Sequence, residues 1–248
     1  ETFFGGGTLF WAQAAVKNET LNDRLDIVIN FYRVLKNDFK KLKKMVDATL
    51  IGRSIHHEAL NTIRLHKTGI TVDRVNLAWA FWVCTNFAFS NKIGGGYKYS
   101  NDMSVTLADT LKKRKENFTE LLVERIEHAY IENDDAVKIL RSRNVKKAFH
   151  YVDPPYPNAD QGHYAGYTFE DYENLLSFFA HECKGKFLLS SYNSDMLTDY
   201  IQVHGWHKKE ITHRVGGRRE VNPKLNRKDR TEVLVSNYST PCGTLKLF

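Results

Sequence analysis

Cysteine is nearly absent from this sequence. The three present, Cys84, Cys183 and Cys242, are odd in number, far apart and never in paired spacing. That excludes a disulfide framework or a zinc knuckle and points to a reducing, cytoplasmic setting. Long apolar runs are missing as well: nothing approaches the ~20 residues a membrane span needs, and no signal-peptide pattern opens the chain. Internal repeats and low-complexity tracts are absent. Proline is sparse, with five residues, two of them side by side as Pro154-Pro155. The first residue is Glu1 rather than Met, so an upstream segment is expected to be missing.

What is present is basic. The net charge is +7 and the sequence pI near 9.2, which suits a polyanionic partner but does not by itself identify one. At 248 residues the chain fits one large domain, or a domain carrying an insertion. Its core is ample without disulfide or structural metal.

Short β-type runs alternate with helical stretches. Glu1 to Phe4 reads as a strand end, and Gly5-Gly6-Gly7 turns it into a short helix. Thr20 to Asn22 reads as a second strand. From Leu25, apolar residues at Val28, Ile29, Tyr32, Leu35, Phe39, Leu42 and Val46 predict one long amphipathic helix with lysines outside. Residues 53–128 carry almost no strand signal, and their helices surround a break at Ile93-Gly94-Gly95-Gly96-Tyr97. Alternation then resumes: a strand at Ala129 to Glu132, a helix at Ala136 to Arg141, and a strand at Ala148 to Val152. A helix follows from Thr168 to Cys183 with Thr168 as N-cap, then a buried strand from Lys186 to Ser191 and another helix. Trp206 to Val215 and Thr231 to Tyr238 read as a final antiparallel hairpin. The expected class is α/β with a mostly parallel, three-layer sheet.

The main chemical signal is Asp153-Pro154-Pro155-Tyr156 directly after an apolar strand, where open α/β sheets bind ligands. Two prolines fix the backbone and remove two N–H donors. The Asp153 carboxylate and the Pro154 carbonyl can then each accept a hydrogen from a planar amine, drawing its lone pair out of conjugation. Tyr156 offers a flat face to an extruded base. A plain strand-to-loop turn is the alternative. Phe3-Phe4-Gly5-Gly6-Gly7-Thr8 forms a second signal, a turn that lets backbone approach a ligand and ends on a helix N-terminus suited to a carboxylate. Sixteen positions after Gly7 stands Asp23, placed to grip ribose hydroxyls or simply to cap the next helix.

Together these segments resemble the Dam-like DNA adenine methyltransferases of the DPPY type. Phe4-Gly5-Gly6-Gly7 is similar to their first cofactor motif, Leu21-Asn22-Asp23 to their ribose-binding strand end, and Asp153-Pro154-Pro155-Tyr156 to their catalytic motif. Ile131-Glu132-Asn133-Asp134-Asp135 resembles the strand end beside the cofactor's adenine, with Asp135 as the contact. Leu188-Leu189-Ser190-Ser191-Tyr192-Asn193 and Arg230-Thr231-Glu232-Val233-Leu234 resemble later segments. The resemblance runs in order along nearly the whole chain. It implies a Rossmann-type, seven-stranded methyltransferase sheet from residues 1–52 and 129–248, with residues 53–128 inserted as a helical DNA-recognition subdomain. It implies S-adenosylmethionine held by Phe4, Gly5, Gly6, Gly7, Asp23, Asp135 and Asp153, and catalysis by Asp153, Pro154, Pro155 and Tyr156. One departure is plain: the family's upstream Gly-Gly-Lys segment, which helps close the cofactor pocket, is not in this sequence. The chain is then truncated, or takes that segment from elsewhere, or binds cofactor poorly.

For DNA, the segment Asn86 to Gly96 resembles the loop that approaches the duplex, with Asn91 and Lys92 as contacts. Lys208 to Arg230 holds nine basic residues against three acids, which suits phosphate contacts through Arg218, Arg219, Lys224 and Arg227. Lys112, Lys113, Arg114 and Lys115 read as a solvated helix face before a phosphate site, and Trp79, Phe81 and Trp82 as core. His204 and His207 lack a third ligand and read as incidental, so no metal is expected. The expected function is site-specific methylation of adenine in double-stranded DNA. The alternatives are a non-catalytic DNA-binding protein, or methylation of cytosine, RNA adenine or a protein glutamine.

Overall fold

The computed structural model describes residues 1–99, 106–156, 166–213 and 230–239. It divides into two compact units, Phe4–Asp134 and a second formed by Glu1–Phe3 with Asp135–Phe248.

In the first unit the glycine turn leads into α1 (Thr8–Ala12), followed by β1 (Glu19–Asn22). The single long helix expected from Leu25 is instead two, α2 (Asp26–Asn37) and α3 (Phe39–Ala48). The chain leaves helical geometry at Asp38, φ −130°, ψ 31°. Asn37 and Asp38 are residues whose side chains compete with the helical backbone, yet both helix ends stay bonded there, Asp38 N–H to Val34 O at 2.8 Å and Leu42 N–H to Asp38 O at 3.1 Å. Leu42 and Val46 are fully buried on the second helix. Residues 53–128 are helical as expected: α4 (Arg53–Lys67), α5 (Arg74–Phe87), α6 (Leu107–Glu116) and α7 (Leu121–Ile126).

α5 is the centre of this unit. Leu77 to Cys84 are buried without interruption, so the helix carries apolar side chains all round and must be enclosed. α2, α3 and α4 enclose it. The helical stretch therefore shares one compact unit with residues 4–52. β1 pairs in parallel with β2 (Ala129–Glu132), Glu19 opposite Ala129 through Asn22 opposite Glu132.

The second unit holds α8 (Ala136–Ser142), β3 (Phe149–Val152), α9 (Phe169–Ser177), β4 (Lys186–Tyr192), α10 (Asp195–His204), β5 (His207–His213) and β6 (Arg230–Ser236). The strand order is β3-β4-β6-β5. β3 and β4 are parallel, whereas β6 lies antiparallel between β4 and β5. The predicted hairpin is thus present, and its second strand occupies the inner position. Thr168 caps α9 in a reciprocal box with Asp171, as its position predicted, and the helix closes in a π turn over Phe178–Glu182.

The seven-stranded expectation is met in part. Among the described residues six strands form, two in one sheet and four in the other. Glu1 to Phe4 is not a strand. Phe4 N–H does donate to Asn22 O at 2.9 Å, but the three glycines that follow bend the chain away before a ladder can continue.

Candidate active site

The glycine turn of the first unit is built by left-handed backbone. Gly5 has φ 47° and Gly7 φ 63°, values that side chains other than glycine rarely adopt. Gly7 is further constrained, because a Cβ there would collide with the Phe4 ring. Gly6 faces open space. Asp23 secures the turn: its Oδ2 accepts Gly5 N–H at 2.8 Å and its Oδ1 accepts Leu25 N–H at 2.9 Å. The Tyr32 hydroxyl donates to Gly5 O at 2.8 Å. Asp23 is only 2% exposed. Burial raises its pKa, and the two amide hydrogen bonds oppose that rise. Asp23 thus holds the N–H of Leu25, the N-cap residue of α2, and not an N–H of the helix's first turn, while each carboxylate oxygen keeps acceptor capacity for a further donor. Beside it, Asn133 Nδ2 donates to Asp23 O at 2.8 Å, and the Asn22 amide exchanges 3.0 Å bonds with Asp134.

The Asp153 turn of the second unit follows β3. Pro154 and Pro155 are buried, while Asp153 presents its edge to solvent. Tyr156 bends back so that its hydroxyl donates to Asp153 Oδ1 at 3.0 Å and lies 3.3 Å from Ser190 Oγ on β4. Its ring sits 4.3 Å from that of Tyr192, tilted by 51°. With Phe169, Tyr192 and Met196 it lines a cleft of about 220 Å³. The surrounding protein raises the Asp153 pKa and Glu232 on β6 adds to the rise, whereas hydrogen bonds from Tyr156 and Ser190 lower it. The solvent at its edge limits the size of that shift. Desolvation and the nearby carboxylates push the Tyr156 phenol up, so it stays a neutral donor.

Asp135 begins α8 as its N-cap, accepting Lys138 N–H at 3.0 Å. Nearby in this unit, the Tyr167 hydroxyl is buried without a hydrogen-bond partner among the described residues, and its ring meets Phe3 edge-on. Sequence reasoning passed over Tyr167, Ser190 and Glu232. For the last two the only signal was membership of segments similar to the family, because neither residue type carries an obvious motif.

Asn91 and Lys92 lie on a loop of the first unit closed by a bridge between Ala88 and Tyr97. Both are exposed, and Asn91 adopts φ 55°. Phe89 on the same loop is 71% exposed. Arg218, Arg219, Lys224 and Arg227 lie outside the described residues. Two of the four cations on α6 serve internal contacts: Arg114 reaches Asn86 Oδ1 at 2.6 Å, and Lys115 reaches the carbonyls of Asp47 at 3.0 Å and Thr49 at 2.6 Å. Trp79, Phe81 and Trp82 are buried as read, with Trp79 Nε1 donating to Thr49 Oγ1 at 2.8 Å. His204 packs with Tyr200 and Trp206 in a cluster of three rings, each close to the other two. Among the described residues no group of three acidic, histidine or cysteine side chains could hold a metal ion. No described helix is long and apolar enough to cross a membrane.

Comparison with curated proteins gives no match. The family model of the D12 class N6 adenine-specific DNA methyltransferases, in contrast, matches residues 1–215. That span takes in the glycine turn, Asp23 and the complete Asp153 turn, and on it the chain belongs to this family and is an adenine-specific DNA methyltransferase.

Proposed function

We propose that this chain transfers a methyl group from S-adenosylmethionine to the exocyclic amine of an adenine extruded from double-stranded DNA, at a defined site, in the cytoplasm. The observation that carries the reading is the Asp153 carboxylate, held at the end of β3 by a tyrosine hydroxyl 3.0 Å away and followed by two residues without N–H groups. Asp153 accepts one hydrogen of the amine and the Pro154 carbonyl accepts the other. Both bonds favour a pyramidal nitrogen whose lone pair is free to attack. Pro155 keeps the turn rigid. Tyr156 offers its ring to the base, since adenine inside a duplex cannot be reached. For Asp153 to accept, it must be ionised, so transfer weakens as pH falls through its raised pKa.

S-adenosylmethionine supplies an activated methyl group on sulfonium, which needs neither a metal nor a covalent enzyme intermediate. The glycine turn fits such a cofactor, because Gly6 leaves open space where any other residue would place a Cβ. Phe4, Gly5, Gly6, Gly7, Asp23, Asp135 and Asp153 are the residues that would hold it. The parallel pairs β1/β2 and β3/β4 support a Rossmann-type methyltransferase sheet. Residues 53–128 serve as the DNA-recognition insertion, with Asn91 and Lys92 on its exposed loop and Arg218, Arg219, Lys224 and Arg227 following β5.

The test is Asp153→Ala assayed for methyl transfer to a duplex, beside calorimetric titration of the cofactor into both proteins. Transfer should be abolished while duplex affinity is retained. Unchanged turnover would remove Asp153 from the mechanism.

A further inference from the structure

The Tyr156 hydroxyl occupies Asp153 Oδ1, one of the oxygens that the substrate amine needs. An amine that arrives along the same lone pair displaces it. A phenol hydroxyl that loses its acceptor in a crowded site costs free energy unless a second acceptor stands ready. One does. Ser190 Oγ lies 3.3 Å from the Tyr156 hydroxyl, and its residue is 6% exposed. β4 brings it there, since Leu189 is in register with Val152 at the end of β3 and Ser190 is the next residue along. A hydrogen bond from Ser190 is also among the influences that lower the Asp153 pKa. Its neighbour Ser191 engages the Tyr172 hydroxyl at 2.9 Å instead.

We infer that Ser190 is a positioning residue for methyl transfer, receiving the Tyr156 hydroxyl when the substrate amine displaces it from Asp153. A serine hydroxyl suits this task because it both donates and accepts: it can donate to the carboxylate while accepting from the phenol. The inference rests on the reading of Asp153 as the amine acceptor. Among the described residues the groups facing Asp153 are Tyr156 from its own turn, Tyr151 from β3, Ser190 from β4 and Glu232 from β6, and Glu1 adds a carboxylate near Tyr151.

The experiment compares Ser190→Ala, Ser190→Thr and Asp153→Ala in steady-state methylation of a duplex across pH, with thermal stability measured in parallel. Ser190→Ala is expected to lower kcat roughly tenfold or more, while KM for the cofactor stays within about twofold. The acid limb of its kcat/KM profile moves to higher pH, because the carboxylate has lost a bond that favours its ionised form. Ser190→Thr, which keeps the hydroxyl, restores both. In a Tyr156→Phe background, Ser190→Ala costs less than it does alone. Ser191→Ala is expected to lower Tm without moving the acid limb. Wild-type kcat and acid limb in Ser190→Ala would overturn the inference, as would a loss that Ser190→Thr fails to restore. Turnover surviving in Asp153→Ala would instead overturn the reading beneath it, whereas an inactive Asp153→Ala beside a fully active Ser190→Ala removes only the role of Ser190.

Discussion

Gly5 and Asp23 are eighteen residues apart, yet the backbone N–H of the first donates to Oδ2 of the second at 2.8 Å. This bond joins the glycine turn to the end of β1, and the other carboxylate oxygen holds the N–H of Leu25, the residue before α2. Asp23→Ala should therefore cost about 3 kcal/mol of stability, the scale of losing a buried charged acceptor. It should also weaken the cofactor more than Asp153→Ala does. Chemical denaturation and cofactor calorimetry check both.

Gly7→Ala places a methyl group against the Phe4 ring at a backbone angle of φ 63°. Strain and clash together predict a loss of about 2 kcal/mol. The equivalent change at Gly6, which meets nothing within 4 Å, should leave Tm nearly unchanged and be felt in cofactor affinity. A Gly6→Ala protein that is unstable but binds normally would contradict this division.

Arg125 and Glu19 form a fork, Nη1 to Oε2 at 2.6 Å and Nη2 to Oε1 at 2.8 Å. Both side chains are mostly shielded, at 14% and 16% exposure. Nη2 also donates to Phe10 O at 2.9 Å, and the guanidinium lies 3.6 Å over the Phe10 ring. Arg125→Ala leaves Glu19 shielded and unpaired, so a loss of about 3 kcal/mol is expected. Arg125→Lys should recover only part of it, because an ammonium cannot serve two carboxylate oxygens and a carbonyl in one plane.

His150 makes stability depend on pH. Burial lowers its pKa from 6.5 to about 4, so the folded protein keeps it neutral where the unfolded chain protonates. Between these values the unfolded state binds more protons, and stability is lost as pH falls from about 6.5 towards about 4. The contribution is about 3 kcal/mol in full. Denaturant titrations at pH 7 and pH 5 should show His150→Phe markedly less sensitive than the wild type.

Lys92 is exposed on the loop closed by Ala88 and Tyr97. If it meets a phosphate, Lys92→Ala weakens duplex binding for all sequences alike and reduces the salt slope by about one. An unchanged slope would place the duplex elsewhere.

Much of this was legible along the chain. The Asp153 turn, the glycine turn and Asp23 are local patterns whose meaning depends on short-range backbone chemistry, and each stands where its strand or helix boundary was expected. The capping box at Thr168 was legible for the same reason. The single helix from Leu25 was not: its apolar spacing continues smoothly through Asn37 and Asp38, and periodicity is blind to a break that preserves it. The strand at Glu1 to Phe4 likewise required a partner along its whole length, which composition does not reveal.

The sequence by itself determined the chemistry on offer, namely a carboxylate, two imino acids and a tyrosine in succession, and a glycine run followed by an acid. These are covalent neighbours, so their order is their geometry to a first approximation. Only the tertiary structure decided who stands next to them. Ser190 and Glu232 reach Asp153 because β4 lies beside β3 and β6 beside β4. Strand order is a long-range outcome, set by burial of whole faces rather than by any residue's neighbours in the chain.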